Sequence, residues 1–122
     1  MNDRFKFRVW DNINSKWLDK RTLDIESGFI TGFYDDEQAF KRRYTLMQST
    51  GLKDKNGTLI YEGDILRLKD IKIPVEVRFK GIGFELYAEA YYVAGYLNNK
   101  YIPEYSEVIG NIYENANLLE DT

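Results

Sequence analysis

Between Thr50 and Leu68 the chain carries two turn signals, each followed by a short apolar run, and that alternation constrains the fold more than any other stretch. Asn56-Gly57 is the dipeptide that accepts positive φ at both central positions of a tight hairpin turn, and Leu59-Ile60-Tyr61 beyond it has the content of a strand. Glu62-Gly63-Asp64 supplies a second turn, after which Ile65-Leu66-Arg67-Leu68 reads as a half-buried strand. Two turns and two short strands make a framework for a small β barrel or sheet. They make no active site.

The flanking segments extend the same pattern. Residues 5 to 18 read as a hairpin, with Phe5, Phe7 and Val9 on one face, Lys6, Arg8 and Trp10 on the other, and Asp11 to Lys16 as the turn. Trp17-Leu18 begins the return strand, so Trp10 and Trp17 are expected near each other. Such a pair can stack a base or a sugar, but a structural cross-strand contact is the preferred reading. The signal weakens from Asp19 to Gln48, where Phe29 to Tyr34 is a strand or turn. Asp35-Asp36-Glu37 opens a short helical candidate that closes on Lys41-Arg42-Arg43, a charge order that complements the helix dipole at both ends. The functional alternatives are a divalent-metal cluster for the acids and a phosphate patch for the bases.

Val75, Val77 and Phe79 alternate with Glu76, Arg78 and Lys80, the clearest one-sided strand in the chain, and Pro74 suits the first residue of a strand or an edge. Gly81-Ile82-Gly83 is a turn into a strand on which Phe84, Leu86 and Ala88 share a face. Without a following helix that opens on Lys-Ser or Lys-Thr, the glycines do not form a phosphate loop. Residues 91 to 105 read as a strand and an irregular loop, with the Pro103 segment leading to a final strand from Glu107 to Tyr113. Asn115 to Leu119 reads as a capped helical turn whose leucines close the end of the barrel.

Composition bounds the function. The 122 residues suit one domain, and ten Tyr, seven Phe and two Trp supply large rings for one core. A formal net charge of −3 with interspersed signs argues against a protein that coats nucleic acid, though not against a local basic patch. The chain has no Cys and no His, which removes disulfides, thiolate chemistry and the commonest general base and zinc ligand. Met1-Asn2-Asp3-Arg4 runs straight into alternating apolar residues, so no signal peptide is expected, and Ala90 to Leu97 is too short to span a bilayer.

Three motifs come close to chemistry. Aligning Gly57 with the sixth position of a calcium loop puts Leu52 where the first carboxylate belongs and Gly63 where the bidentate Glu belongs, so the match fails on the strongest ligands. Asn56-Gly57-Thr58 spells a glycosylation sequon in a chain for which no secretory leader is expected. Glu62 and Asp64 could share a face as acid and base, but an Asp in such a turn usually bonds nearby backbone N–H groups, which is the preferred reading.

Phe5-Lys6-Phe7-Arg8-Val9-Trp10-Asp11, the stretch from Thr50 to Leu68 with Met47-Gln48 before it, and Glu107 to Asn115 resemble, in order, the motifs of the YopX family of phage and prophage proteins. The resemblance runs from about residue 5 to residue 119 and implies a small β barrel, with no catalytic residues to carry over. The expected fold is therefore one mainly-β domain, with α+β as the alternative. An N-terminal hairpin and helical extension (1-45) would precede an SH3-like barrel part (46-119), with short helices added. The expected function is a cytoplasmic, phage-derived, non-catalytic module that binds protein, as a homo-oligomer or with a phage or host partner, without cofactor, metal or membrane. Its candidate interface is Tyr87, Tyr91, Tyr92, Tyr96 and Tyr101, with Tyr105 close by. The alternative is a nucleic-acid-binding accessory protein that uses Lys41, Arg42, Arg43 and Tyr44; an enzyme comes third.

Overall fold

The computed structural model describes residues 6–18, 42–80, 83–88, 91–92 and 101–120. The chain divides into two compact units, Phe7–Met47 on the one hand and Met1–Lys6 with Gln48–Thr122 on the other. The strands among the described residues are β1 (Phe7–Asp11), β2 (Lys16–Trp17), β3 (Tyr44–Lys53), β4 (Leu59–Tyr61), β5 (Asp64–Leu68), β6 (Ile71–Lys80), β7 (Gly83–Ala88), β8 (Tyr91–Tyr92) and β9 (Ser106–Asn111). Two single-turn helices, α1 (Ile102–Tyr105) and α2 (Asn117–Glu120), flank β9. The described chain is thus mainly β, with the N-terminal hairpin and short helices expected.

In the smaller unit β1 and β2 pair antiparallel with Trp10 opposite Trp17, whose rings meet edge to face at 4.9 Å. The Arg8 guanidinium lies 4.5 Å over the Trp17 ring. Trp10 is buried along with Val9, although the two side chains alternate along β1. A cation over an indole ring adds roughly 0.5–1 kcal/mol at a partly exposed site.

In the larger unit the end of β3 pairs with β4 through the Asn56-Gly57 hairpin, with Lys53 opposite Leu59. A second sheet of five strands in the order β8-β7-β6-β5-β9 is antiparallel throughout and curls as a half-barrel. Its core is Ile60, Leu66, Leu68, Val75, Val77, Leu86, Ala88 and Ile102, all nearly inaccessible. Each large aliphatic side chain among them contributes about 1.5–3 kcal/mol by leaving water.

Three expectations change. Pro74 does not open its strand: it is the fourth residue of β6, at a register shift where Leu66 faces Val75 but Leu68 faces Ile71. Extra residues on β6 therefore bulge there, and a bulge tolerates a residue with no N–H to donate. The Pro103 segment is the helical turn α1 rather than irregular loop, because a proline fits the first turn of a helix and fully buried Ile102 anchors it to the core. In Asn115 to Leu119 the helical turn forms with half-buried leucines, but the Asn115 side chain turns back to accept the Asn111 N–H at 3.1 Å instead of capping α2. The segment from Phe29 to Tyr34, the acidic start of the predicted helix and the Gly81-Ile82 turn lie outside the described residues.

Candidate functional site

The central turn works differently from its sequence reading. Gly57 has φ +82°, but Asn56 does not share the left-handed region, so positive φ at both positions is corrected to positive φ at one. The Gly57 N–H donates to the Asp54 carbonyl at 3.0 Å and the Asp54 N–H to the Thr58 carbonyl at 2.9 Å. This is a three-residue loop built on a type I turn, with Asp at its first position and Gly at its fourth. The buried Asp54 carboxylate holds it. One oxygen accepts the N–H groups of Asn56 and Thr58, both at 2.9 Å, and the other accepts the Val108 N–H of β9 at 2.8 Å. Three amides occupy a carboxylate that a calcium loop would leave for metal.

Gly63 and Asp64 do comparable work. Gly63, at φ +88°, donates to the Val77 carbonyl at 2.8 Å and accepts from the Ile112 N–H at 2.9 Å, which joins the turn to β6 and to the end of β9. Buried Asp64 accepts the Tyr61 N–H at 2.8 Å, the structural role weighed against acid-base chemistry. At the end of β9 the Asn111 side chain accepts the Tyr113 and Glu114 amides and donates to the Glu114 carboxylate at 3.0 Å. A Cβ on Gly110 would lie 2.6 Å from Asn115 Oδ1, so the absence of a side chain there admits Asn115. Among the described residues no three Asp or Glu gather as a metal site.

The basic run is only partly visible. Lys41 lies outside the described residues; Arg42 is exposed and, with Arg43, helical immediately before β3. Arg43 reaches Asp11, Nη2 to Oδ2 at 3.3 Å. The buried Asp11 carboxylate also accepts the amides of Ile13 and Asn14 and the Asn14 side chain. Burial by itself would raise the Asp11 carboxyl, but the hydrogen bonds from Arg43, Asn14 and Ile13 outweigh it and hold the group well below the usual carboxylate range. Tyr44 is only 4% exposed, with the Arg43 guanidinium 5.1 Å over its ring.

Of the candidate interface tyrosines, Tyr96 and the side chains of Tyr91 and Tyr92 lie outside the described residues, although the backbone of β8 pairs Tyr92 with Tyr87 and Tyr91 with Ala88. Tyr101 is half-buried against the core and tilts onto Tyr105 at 5.1 Å, with Lys69 Nζ 4.8 Å over the latter ring. Tyr87 is exposed and carries the Arg78 guanidinium 3.5 Å over its ring centroid. Arg78 in turn donates from Nη2 to Glu76 Oε1 at 3.2 Å. This group borders a depression of about 220 Å³ that Ile73, Pro74, Ala88 and Leu119 also line. Farther along the same hairpin Phe79, 47% exposed, meets Phe84 edge to face at 5.1 Å. Sequence reasoning missed the depression because the β6 bulge and α2 create it. It also missed Asp54 and Asp11 as anchors, although the Asp-x-Asn-Gly spacing carried a signal for the first.

The fold has a solved counterpart. The crystal structure of protein EF1440 from Enterococcus faecalis superposes with a TM-score of 0.67 at 29% sequence identity, over 93% of this chain and 96% of that one. No curated protein matches the chain. The YopX protein family model matches residues 6–120. With that match spanning nearly the whole sequence and its motif residues placed in the scaffold, the chain belongs to the YopX family.

Proposed function

We propose that this YopX protein is a non-catalytic protein-binding or assembly module of phage or prophage origin that acts in the bacterial cytoplasm. The observation that carries the reading is the outer surface of the β6–β7 hairpin, where exposed Tyr87 and the arginine stacked on it border a depression lined by both polar and apolar side chains. Tyr and Arg are enriched at interface hot spots, because a ring or a planar guanidinium buries much area at small entropic cost. The nucleic-acid alternative draws less support, since Arg43 is engaged with Asp11 and Tyr44 is buried. Among the described residues no helix is long and apolar enough to cross a membrane.

Two measurements test the choice. Light scattering over a concentration series reads self-association, and any oligomer is expected to lose mass in Tyr87→Ser and Arg78→Ala. Gel shifts with single-stranded DNA and RNA at low salt are expected to show no binding. A shift that falls steeply with salt and is lost when Lys41 and Arg42 become Ala would move the reading to nucleic acid.

A further inference from the structure

We propose that Asn56 is a modification site at which the chain deamidates through its own backbone, and that the Asp54 loop sets the rate. Asn56-Gly57 is the only Asn-Gly pair in the sequence. Its chemistry is distinctive, because the Gly57 backbone nitrogen can attack the Asn56 side-chain carbon Cγ and glycine puts no side chain in the way. The N–Cγ bond forms, the Cγ–Nδ2 bond breaks, and the Gly57 amide proton leaves with the side-chain nitrogen as ammonia. Water then opens the five-membered imide at either carbonyl. One opening yields aspartate; the other yields isoaspartate, with the main chain rerouted through Cβ. Access is open, since Asn56, Gly57 and Thr58 are exposed and a Cβ on Gly57 would meet nothing within 4 Å.

The loop holds this reaction back. The Gly57 N–H is bonded to the Asp54 carbonyl at 3.0 Å, and the Asp54 carboxylate accepts the amides on either side of it, from Asn56 and Thr58, both at 2.9 Å. Asn56 stands third in the type I turn, where ψ is about 0°. There the Gly57 nitrogen points away from Cγ, and ring closure requires rotation about the Asn56 Cα–C bond, which breaks the Gly57 hydrogen bond. The amide that reacts is thus the amide that the turn sequesters. Deamidation proceeds from the locally opened loop, at the rate of the unfolded chain multiplied by the open fraction. The product bears on the scaffold as well: isoaspartate adds a main-chain carbon between two amides held by one Asp54 oxygen, while the other oxygen holds Val108 of β9.

The test is peptide mapping by mass spectrometry over time, on the full chain in mildly alkaline buffer, native and unfolded in urea. In urea Asn56 is expected to deamidate faster than any other asparagine. In the native chain its rate is expected to fall at least about fivefold, the scale of one net hydrogen bond. That retardation is expected to match the hydrogen-exchange protection of the Gly57 amide within about threefold, because both need the same bond broken. Asp54→Ala is expected to speed native deamidation and Gly57 exchange together, by about fivefold or more, with the slowest core amides reporting whether the variant folds. Should it unfold, the comparison of retardation with Gly57 protection in the parent chain decides by itself. Equal native and urea rates overturn the proposal, as does a retardation that follows the slowest core amides instead of Gly57, or another asparagine leading in urea.

Discussion

Asp54 shows how much of this fold depends on single side chains. Its two oxygens satisfy three backbone N–H groups, two inside the hairpin loop and one on β9, fifty-four residues away. Asp54→Asn retains an acceptor for the loop but turns a donor toward Val108 or leaves that amide unmatched, so a loss of about 1–3 kcal/mol is expected, together with faster hydrogen exchange at Val108. Unchanged exchange at Val108 would separate the carboxylate from β9. At Gly57 the cost of substitution is backbone strain alone, since a Cβ there meets nothing within 4 Å at φ +82°. Gly57→Val is therefore expected to lower stability by about 1–2 kcal/mol and Gly57→Asn by less, read as urea midpoints. Gly110→Ala differs in kind, because its Cβ would overlap the Asn115 side chain. It is expected to cost about 1–3 kcal/mol by overpacking, and to cost less in an Asn115→Gly background.

Among the elements, the β1–β2 hairpin, β7 and the strand content around Asn56-Gly57 and Glu62-Gly63-Asp64 were legible, because turn chemistry and a period of two are local properties. Pro74 and Pro103 were placed wrongly since a proline reports only that a donor is missing. Whether that absence is met by a bulge, as in β6, or by the first turn of a helix, as in α1, depends on neighbours distant in sequence. The Tyr87 depression was illegible for the same reason: Ile73, Ala88 and Leu119 converge only after the strands pair. The β1–β2 element also has a pH signature. Asp11 has a folded-state pKa below its unfolded value, so its contribution is present above about pH 4 and is lost as pH falls through the unfolded value toward the folded one. The Trp10–Trp17 contact provides a fluorescence signal for this. Arg43→Ala is expected to move the acid transition of that signal to higher pH, and an unmoved transition would detach Arg43 from the stability of the hairpin.

For the molecule as a whole, the described parts of the motifs that mark the family belong to the scaffold: Trp10 and Asp11 in the first hairpin, Asp54 and Gly57 in the central loop, Gly63 and Asp64 at the next turn, Gly110 and Asn111 at the end of β9. These residues close turns, whereas the proposed contact surface is built on β6 and β7. The most direct measurement is photo-cross-linking in cells that express the protein, with a benzoylphenylalanine placed at position 87 and, as a control, at exposed Lys55 in the central loop. The account predicts a discrete protein adduct, a second copy or another chain, from position 87 and none from position 55. Adducts to nucleic acid, or protein adducts of equal yield from both positions, would contradict it.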